Sequence, residues 1–373
     1  MKRAMGIVAL IAMLLVFTQG STLARGAARL VVDDDRAQCK DAGFTTLAAA
    51  IAAAHPGDTI LVCPGTYAGA VVDKSVRLRA LVGQDRADER GGEQNDGEHE
   101  DTGACLSQAS VGPNHDAVIT GMVTLAANGS ELRGFSVQGA AAGVAINATA
   151  SVTANCFRAN VIAIAASASG RGSISGNQFT GQTKAAIALK GATGITIEQN
   201  VLVGSATIRL TAASDNVIRH NIATGSSGEA IRLDAGSDRN TISHNALSGG
   251  PAALALHNNG IRFDGLGIFG NAIDHNTVTD FGKSGIRLKA GATGNTFRDN
   301  RVDHNGLLED ENGFELSAGA TGNVFLGNHM HRNQNLDALD KNAAGVNTWL
   351  HSQCATSDPT AICAGAAMDE ASD

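Results

Sequence analysis

Charged residues recur at two fixed positions of a repeat. One position lies within a segment resembling Ile-x-Leu, and the other directly follows that segment. The residue between the two apolar positions is, in successive repeats, Ala188, Arg209, Arg232, Arg262, Arg287 and Glu315. The residue after the segment is, in the same order, Lys190, Thr211, Asp234, Asp264, Lys289 and Ser317. Because the guanidinium fork of arginine matches a carboxylate, this row suits an anionic polymer. Arg and Asp of the two columns could equally neutralise one another on a solvated surface, and both interpretations remain open.

Two insertions precede this segment at the same point of the repeat. They are SGGPAALALHNN (248–259) and DHNGLLEDEN (303–312), in repeats separated by one. Loops that project from a rigid scaffold commonly carry binding residues. We therefore predict that both loops overhang the arginine row and form the walls of a groove. The predicted substrate-binding residues are Arg232, Arg262, His257, Asp303, His304 and Glu315.

A further column contains His220, His244 and His275, each of which immediately precedes a recurring Asn. Three imidazoles in line could bind a metal ion. However, side chains that are stacked at strand spacing do not easily converge on one ion in tetrahedral geometry. We therefore expect these rings to stack along a turn.

The elements that position these residues belong to a repeat with a period in the low twenties. The recurring asparagines are Asn155, Asn177, Asn200, Asn221, Asn245, Asn276, Asn300 and Asn328. Apolar residues alternate within each unit, which is the period of a half-buried strand. No unit has the longer helical periodicity that helical repeats require. The sequence therefore predicts an all-β solenoid of roughly ten coils, each with three short strands, in which the asparagines form one structural ladder.

Composition agrees with a solenoid. The chain has 373 residues, with 45 Gly, 5 Pro and 3% aromatic residues, so its core must consist of small and β-branched side chains. A solenoid grows linearly and needs no second core at this length. The net charge is −8 and no basic block stands out. We therefore expect no nucleic-acid partner. We also expect the protein to be a monomer.

The N-terminus predicts export. Residues 1–28 contain Lys2 and Arg3, an apolar run from Met5 to Phe17 and then small residues, as in a signal peptide. The run is too short to span a membrane, and no other stretch could cross one. We therefore predict a secreted or periplasmic protein.

Six cysteines in an exported chain predict disulfides. Cys39 and Cys63 flank the first helix-and-strand unit, and Cys354 and Cys363 close a short loop near the C-terminus. We predict these two pairs, and Cys105 and Cys156 are either a third pair or free thiols.

The predicted divisions of the chain are a signal peptide (1–28), an N-terminal cap and first coil (29–83), a charged solvated insertion (84–117), the β-helix coils (118–350) and a disulfide loop with a tail (351–373).

One clear helical stretch, FTTLAAAIAAA (44–54), precedes the repeats, with Thr45 or Thr46 as its N-cap and Pro56-Gly57 beyond its end. An amphipathic helix here would cover the open apolar end of the solenoid. This stretch, with Pro56-Gly57-Asp58-Thr59-Ile60 and Cys63-Pro64-Gly65-Thr66-Tyr67, resembles the N-terminal cap of right-handed parallel β-helix proteins of the pectate-lyase-like superfamily. The resemblance covers nearly the whole chain after the signal segment, and it implies a right-handed parallel β-helix with a capping helix.

The resemblance also implies a chemistry. In the pectate-lyase-like families, Ca²⁺ held by carboxylates on adjacent coils neutralises a uronate, and an Arg or Lys abstracts the C5 proton. The matching residues here are Asp234 and Asp264 as metal ligands, with Arg287 or Lys289 as the base. They match by position only, because no catalytic motif of the family is present. The implied activity is that of a polysaccharide lyase or epimerase on a uronate-rich polysaccharide.

A second function class remains open. A rigid, non-catalytic surface or periplasmic module, for example a spacer or an adhesin-like protein, would have the same repeats. The scarcity of aromatic residues favours it, because sugar-processing grooves usually offer Trp or Tyr platforms. Here Tyr67 and Trp349, the only Tyr and Trp, both lie in predicted cap regions.

Overall fold

The computed structural model describes residues 26–81, 116–204, 207–226, 228–250, 258–308 and 311–363. The predictions made for most of the signal segment, for most of the insertion 84–117, and for Cys105 and His257 therefore lie outside the described residues. Within the described part, almost all of the regular secondary structure is parallel β-strand. No helix in this part is long and apolar enough to cross a membrane.

Three parallel sheets run along the length of the molecule. The first sheet has 13 strands: Arg29–Val32, Thr59–Val62, Arg77–Ala80, Ser130–Arg133, Thr149–Thr153, Arg171–Ser175, Ile195–Glu198, Val217–Arg219, Thr241–Ser243, Ala272–Asp274, Thr296–Arg298, Val324–Leu326 and Thr348–Leu350. The second sheet has 11: Gly65–Tyr67, Ala117–Ile119, Ser136–Gln138, Cys156–Arg158, Gln178–Thr180, Val201–Val203, Ile222–Thr224, Ala246–Ser248, Thr277–Thr279, Arg301–Asp303 and His329–His331.

The third sheet has 12 strands: Val71–Val72, Val123–Leu125, Ala142–Ile146, Ile162–Ala166, Ala185–Lys190, Ile208–Thr211, Ile231–Asp234, Ile261–Asp264, Ile286–Leu288, Phe314–Leu316, Ala338–Asp340 and Ser357–Asp358. Two further short strands, Ile268–Phe269 and Ala292–Thr293, pair with each other.

Between the terminal coils, each coil adds one strand to each sheet in the order first, second, third, and successive coils pair in register. The alternation of apolar and polar residues, from which the strands were predicted, accounts for this arrangement. Ile231 and Leu233 are fully buried, whereas Arg232 between them points outward. This confirms the predicted all-β parallel β-helix. The sheets hold 11 to 13 strands, slightly more than the roughly ten coils predicted.

The predicted asparagine ladder is continuous from Asn155 to Asn328. Asn245, for example, donates from Nδ2 to Oδ1 of Asn276 at 2.9 Å, and its own Oδ1 accepts from Nδ2 of Asn221 at 2.9 Å. The residue before it, His244, has φ 56° and turns the chain between the first and second sheets. Each ladder amide therefore satisfies buried polar groups that would otherwise be costly.

A second ladder follows the turn between the third and first sheets. Its members are Asn216, Asn240, Asn271, Asn295, Asn323 and Asn347. This ladder was not predicted from the sequence. Its signal is the pairing of two asparagines five residues apart in each repeat, as in Asn216 with Asn221 and Asn240 with Asn245. That spacing fits one short strand plus one turn residue.

Both ends of the apolar core are covered as predicted. The helix Leu47–Ala53 begins after its N-cap Thr46, whose side chain accepts from Ala49 N, and it buries Leu47, Ala50 and Ile51. At the other end, Trp349 stacks on Phe325 with ring centroids 3.8 Å apart. The disulfides Cys39–Cys63 and Cys354–Cys363 are both formed. Cys156 is disulfide-bonded as well, so the free-thiol alternative is excluded for it.

Candidate binding site on the third sheet

The third sheet aligns the charged residues that the sequence singled out. Ala188, Arg209, Arg232, Arg262, Arg287 and Glu315 are register partners from strand to strand. Asp234 and Asp264 are partners in the neighbouring column. The predicted alignment of the row is therefore correct. Earlier coils carry Thr124, Ala145 and Ala165 at the same position, so the charge begins only at Arg209.

Cations contact all four carboxylate oxygens of Asp234 and Asp264. Asp234 accepts from Arg232 Nε at 2.7 Å and from Arg209 Nε at 2.6 Å, one on each oxygen. Asp264 accepts from Lys289 Nζ at 3.0 Å on one oxygen. Its other oxygen lies 2.7 Å from Arg232 Nη2 and 2.9 Å from Arg262 Nη2. The guanidinium of Arg232 thus bridges the two carboxylates.

These contacts determine the protonation of the two aspartates. Burial by itself raises the pKa of Asp234, but hydrogen bonds from Arg232 and Arg209 outweigh burial and hold that pKa below its usual range. For Asp264, burial again raises the pKa, and Lys289 and Arg262 lower it further than burial raises it. Both groups are therefore carboxylates at neutral pH.

A second cluster surrounds Glu315, the last residue of the row. Its carboxylate is buried and lies 3.3 Å from Arg287 Nη2 and 3.1 Å from Lys341 Nζ. Ser284 Oγ lies 2.9 Å from Oε2 of Glu315 and 2.9 Å from Oε2 of Glu311. Burial raises the pKa of Glu315, and Arg287, Ser284 and Lys341 outweigh it and keep this pKa low. A charged group is therefore held in a nearly closed environment.

We call the two clusters together the charged row. Among the described residues its cations are Arg209, Arg232, Arg262, Lys283, Arg287, Lys289 and Lys341. Its carboxylates are Glu229, Asp234, Asp264, Glu311 and Glu315. Seven cations thus face five carboxylates, although the whole chain has a net charge of −8.

Some buried donors of the row have no acceptor among the described residues. Arg262 pairs through Nη1 with Glu229 and through Nη2 with Asp264, but its Nε is buried without a partner among the described residues. Arg287, the register partner of Arg262, likewise leaves Nε unpaired. The side chain of Asn259 is fully buried, and both polar atoms of its amide lack partners. Buried polar groups are normally paired, but these two donors and the Asn259 amide are unsatisfied within the part of the chain that the structure describes.

The two insertions follow the second sheet and precede the third, at the turn predicted for them. Residues 251–257 and 309–310, which include His257, lie outside the described residues. Asp303 pairs with Arg301 of its own strand and accepts from His331 N at 3.2 Å. His304 Nδ1 lies 2.6 Å from Asp280 Oδ1. The contacts of Asp303 and His304 therefore lie at the end of the second sheet, and binding by these two residues stays a prediction.

The predicted calcium ligands do not fit an ion in their present arrangement. Calcium prefers six to eight oxygen ligands, whereas the oxygens of Asp234 and Asp264 face guanidinium and ammonium groups. This arrangement corresponds to the neutralised alternative. The catalytic assignment of Arg287 and Lys289 stays a prediction, and in the structure both donate to carboxylates.

Three residues of these clusters were not predicted from the sequence, namely Glu229, Ser284 and Lys341. Glu229 and Ser284 hold the same repeat position, two residues before the third-sheet strands Ile231–Asp234 and Ile286–Leu288. An alignment extended by two residues would have shown this column. Lys341 directly follows the strand Ala338–Asp340, in a repeat whose Ile-x-Leu pattern has become Ala-Leu-Asp. That divergence concealed Lys341.

The histidine column stacks as expected. The rings of His220 and His244 have centroids 5.1 Å apart, and those of His244 and His275 are 5.0 Å apart and within 3° of parallel. His275 also contacts carboxylates on both sides, Asp274 at 2.9 Å and Asp299 at 3.8 Å. The sequence analysis did not include these two aspartates.

Two family models match parts of the chain. The model described as "Periplasmic copper-binding protein (NosD)" matches residues 92–265, which end before His275. The model described as "Right handed beta helix region" matches residues 205–358. Each covers less than half of the chain. None of the curated proteins compared with the sequence matches it.

Solved structures with a similar course of chain include polysaccharide-acting enzymes. A mutant of the periplasmic alginate epimerase AlgG is 12% identical, with a TM-score of 0.46 over 80% of this chain and 73% of that one. The A-module of the mannuronan C-5 epimerase AlgE6 from Azotobacter vinelandii is 14% identical, with a TM-score of 0.46 over 83% and 92%. The catalytic domain of a GH87 α-1,3-glucanase is 9% identical, with a TM-score of 0.39 over 82% and 62%.

The matched models and the strand order together identify the fold. The β-helix model covers the late coils, and the three sheets are parallel throughout and gain one strand from each successive coil. The chain is a right-handed parallel β-helix repeat protein.

Proposed function

We propose that this protein binds an acidic polysaccharide along the charged row of the third sheet. The observation that carries the proposal is the alignment of four partly exposed arginines, Arg209, Arg232, Arg262 and Arg287, at one register position of successive coils. A guanidinium can only donate hydrogen bonds, so its exposed N–H groups suit acceptor oxygens such as those of carboxylate or hydroxyl groups.

The charge balance of the row supports an acidic ligand. The row has more cations than carboxylates among the described residues, and the cations are fixed by their pairing rather than free to move. Fixed donors bind an incoming oxygen at a smaller entropic cost than mobile ones. One coil of the solenoid rises by about 4.8 Å, so a polymer lying along the row would meet a new arginine at each coil.

We also propose that the protein is exported. Its disulfides Cys39–Cys63 and Cys354–Cys363 are typical of proteins from oxidising compartments. The N-terminal residues read as a signal peptide, which agrees with a polysaccharide ligand outside the cytoplasm. Cleavage or epimerisation of the bound polymer, with Arg287 or Lys289 as the base, is the catalytic form of this proposal.

Binding is tested by affinity electrophoresis and calorimetry of the purified protein with polygalacturonate, alginate and a neutral glucan. We expect binding to the two polyuronates that weakens as salt is added, because exposed charge interactions are screened. Arg262→Gln and Arg287→Gln should each weaken binding roughly tenfold. Arg219→Gln is the matched control, because Arg219 forms a similar ion pair with Glu198 at 2.8 Å but lies on the first sheet.

Several outcomes would overturn the proposal. Equal loss of binding in all three variants would show that the row has no special role. Binding to the neutral glucan alone, independent of salt, would exclude an acidic ligand. Failure to bind any polymer would favour the rigid, non-catalytic module. Ultraviolet absorbance of unsaturated uronate products, followed with and without Ca²⁺, reports separately on cleavage.

A further inference from the structure

We propose that Asp274, His275 and Asp299 form a surface site for a divalent transition-metal ion such as Zn²⁺ or Cu²⁺. The site lies at the turn between the first and second sheets, away from the charged row. It therefore does not depend on the proposed polysaccharide binding.

The repeat brings these three side chains together. Asp274 ends the strand Ala272–Asp274, and His275 follows it with φ 51°. Asp299 occupies the same turn position in the next coil, with φ 48°. His275 Nδ1 lies 2.9 Å from Asp274 Oδ1, and His275 Nε2 lies 3.8 Å from Asp299 Oδ2. One ligand atom from each residue lies within 4.8 Å of the others.

The two contacts of His275 use opposite ring nitrogens, and one ion can bind only one of them. The relevant spacing is therefore the 4.8 Å within which one ligand atom of each residue lies, which is slightly wider than around a bound metal. Two ligands about 2.1 Å from an ion lie roughly 3 to 4 Å apart, depending on the geometry. The side chains are 33%, 49% and 43% exposed for Asp274, His275 and Asp299, so small rotations can bring their ligand atoms onto one ion. Water would complete the coordination.

The donor set selects the class of metal. An imidazole with two carboxylates suits Zn²⁺ and Cu²⁺, whereas Ca²⁺ and Mg²⁺ prefer oxygen ligands alone. The two carboxylates add negative charge that a cation would neutralise. Arg298 is the register partner of Asp274, but in the described part of the chain it forms no ion pair with that residue.

The histidine column holds the ring of His275 in place. His244 stacks on it with ring centroids 5.0 Å apart and planes within 3°. His220 and His244 follow Arg219 and Ser243, so at neither position does a carboxylate directly precede the imidazole. The column thus explains why His275, and not its stacked neighbours, would bind the ion.

The test titrates Zn²⁺, Cu²⁺ and Ca²⁺ separately into the untagged protein, following heat of binding and thermal midpoint. We expect one Zn²⁺ or Cu²⁺ ion to bind at this site and to raise the midpoint by mass action, with no comparable response to Ca²⁺. His275→Gln and Asp299→Asn should weaken binding at least about tenfold. Gln199 adopts φ 54° at the same turn position, so glutamine fits this turn.

His220→Gln is the matched control, because it removes a stacked imidazole that has no preceding carboxylate. It should bind the metal as the wild type does. Loss of binding in His220→Gln equal to that in His275→Gln would assign the ion to the imidazole column and overturn the proposal. No saturable response to either metal, or an unchanged response in both His275→Gln and Asp299→Asn, would also overturn it. Asp299→Asn keeps the test valid if His275→Gln fails to fold.

Discussion

Arg232 joins two coils of the solenoid through Asp264, whose Oδ2 lies 2.7 Å from Arg232 Nη2. The same guanidinium holds Asp234 of its own strand through Nε at 2.7 Å. Like charges that stack along a ladder repel one another. The alternation of Arg and Asp between the two columns replaces that repulsion with attraction from coil to coil.

Loss of the Asp264 carboxylate should destabilise the fold. Asp264→Asn leaves Arg232, Arg262 and Lys289 without their shared acceptor, and we expect a loss of about 2 kcal/mol in the free energy of unfolding. Denaturant unfolding measures it. Asp215→Asn is the control, because Asp215 pairs with Arg239 at 2.8 Å on the exposed surface. It should have little effect, and equal losses in the two variants would contradict a special role for Asp264.

Calcium should leave the thermal midpoint unchanged. Cations already contact both carboxylates of the Asp234 and Asp264 pair, so Ca²⁺ would have to displace them. We expect no rise in the midpoint on Ca²⁺ addition, either in the wild type or in the Asp234→Ala/Asp264→Ala double variant. A rise in the wild type alone would restore the metal-ligand interpretation of this pair.

Buried asparagines of the ladder should contribute more to stability than an exposed asparagine outside it. Asn245→Ala removes the partner of Asn221 Nδ2 and leaves Ile218 O without its donor, both in buried surroundings. We expect a cost of about 3 kcal/mol. Asn128→Ala removes one exposed hydrogen bond, which Thr149 N donates to Asn128 Oδ1 at 2.9 Å, and should cost about 1 kcal/mol or less. Chemical denaturation of the two variants measures these losses in the free energy of unfolding. Similar losses in both would show that the ladder adds no stability.

Stability should fall in acid. The pKa values of Asp234, Asp264 and Glu315 are lowered in the folded state, so the unfolded chain binds more protons there. Their contribution is fully present above the unfolded values, about pH 4, and is lost as the pH falls through the folded values. Thermal midpoints should therefore change little between about pH 7 and 5 on account of these groups and drop below about pH 4.

Glu315→Gln checks the source of this acid sensitivity. The variant should be less stable than the wild type at neutral pH, because Arg287 and Lys341 lose a buried partner. It should also lose less stability on acidification, since one titrating group is gone. Parallel curves for the two proteins would contradict a role for Glu315 in the acid transition.

Local patterns were enough to predict the fold class. Alternation of buried and outward residues, as in Ile231-Arg232-Leu233, indicates a strand, and a fixed repeat length indicates a solenoid. The asparagines from Asn155 to Asn328 marked one turn of successive coils, and Thr45-Thr46 marked the start of the capping helix, whose N-cap is Thr46. These features depend on neighbours along the chain or on an equivalent position in the next repeat. They can therefore be read from the sequence.

The partners of each charged side chain were decided only in three dimensions. The sequence aligned Asp234 with Asp264, and it left open whether they share a cation or are neutralised by arginine. Side-chain rotamers and the stagger between coils place Arg232 between them. The same holds for Glu229 and Ser284, which reach the row from a turn, and for Asp299, which meets His275 from the next coil. Ion pairing acts over a few ångströms and falls off with distance. The contacts therefore depend on side-chain positions within a coil, and the repeat pattern does not specify those positions.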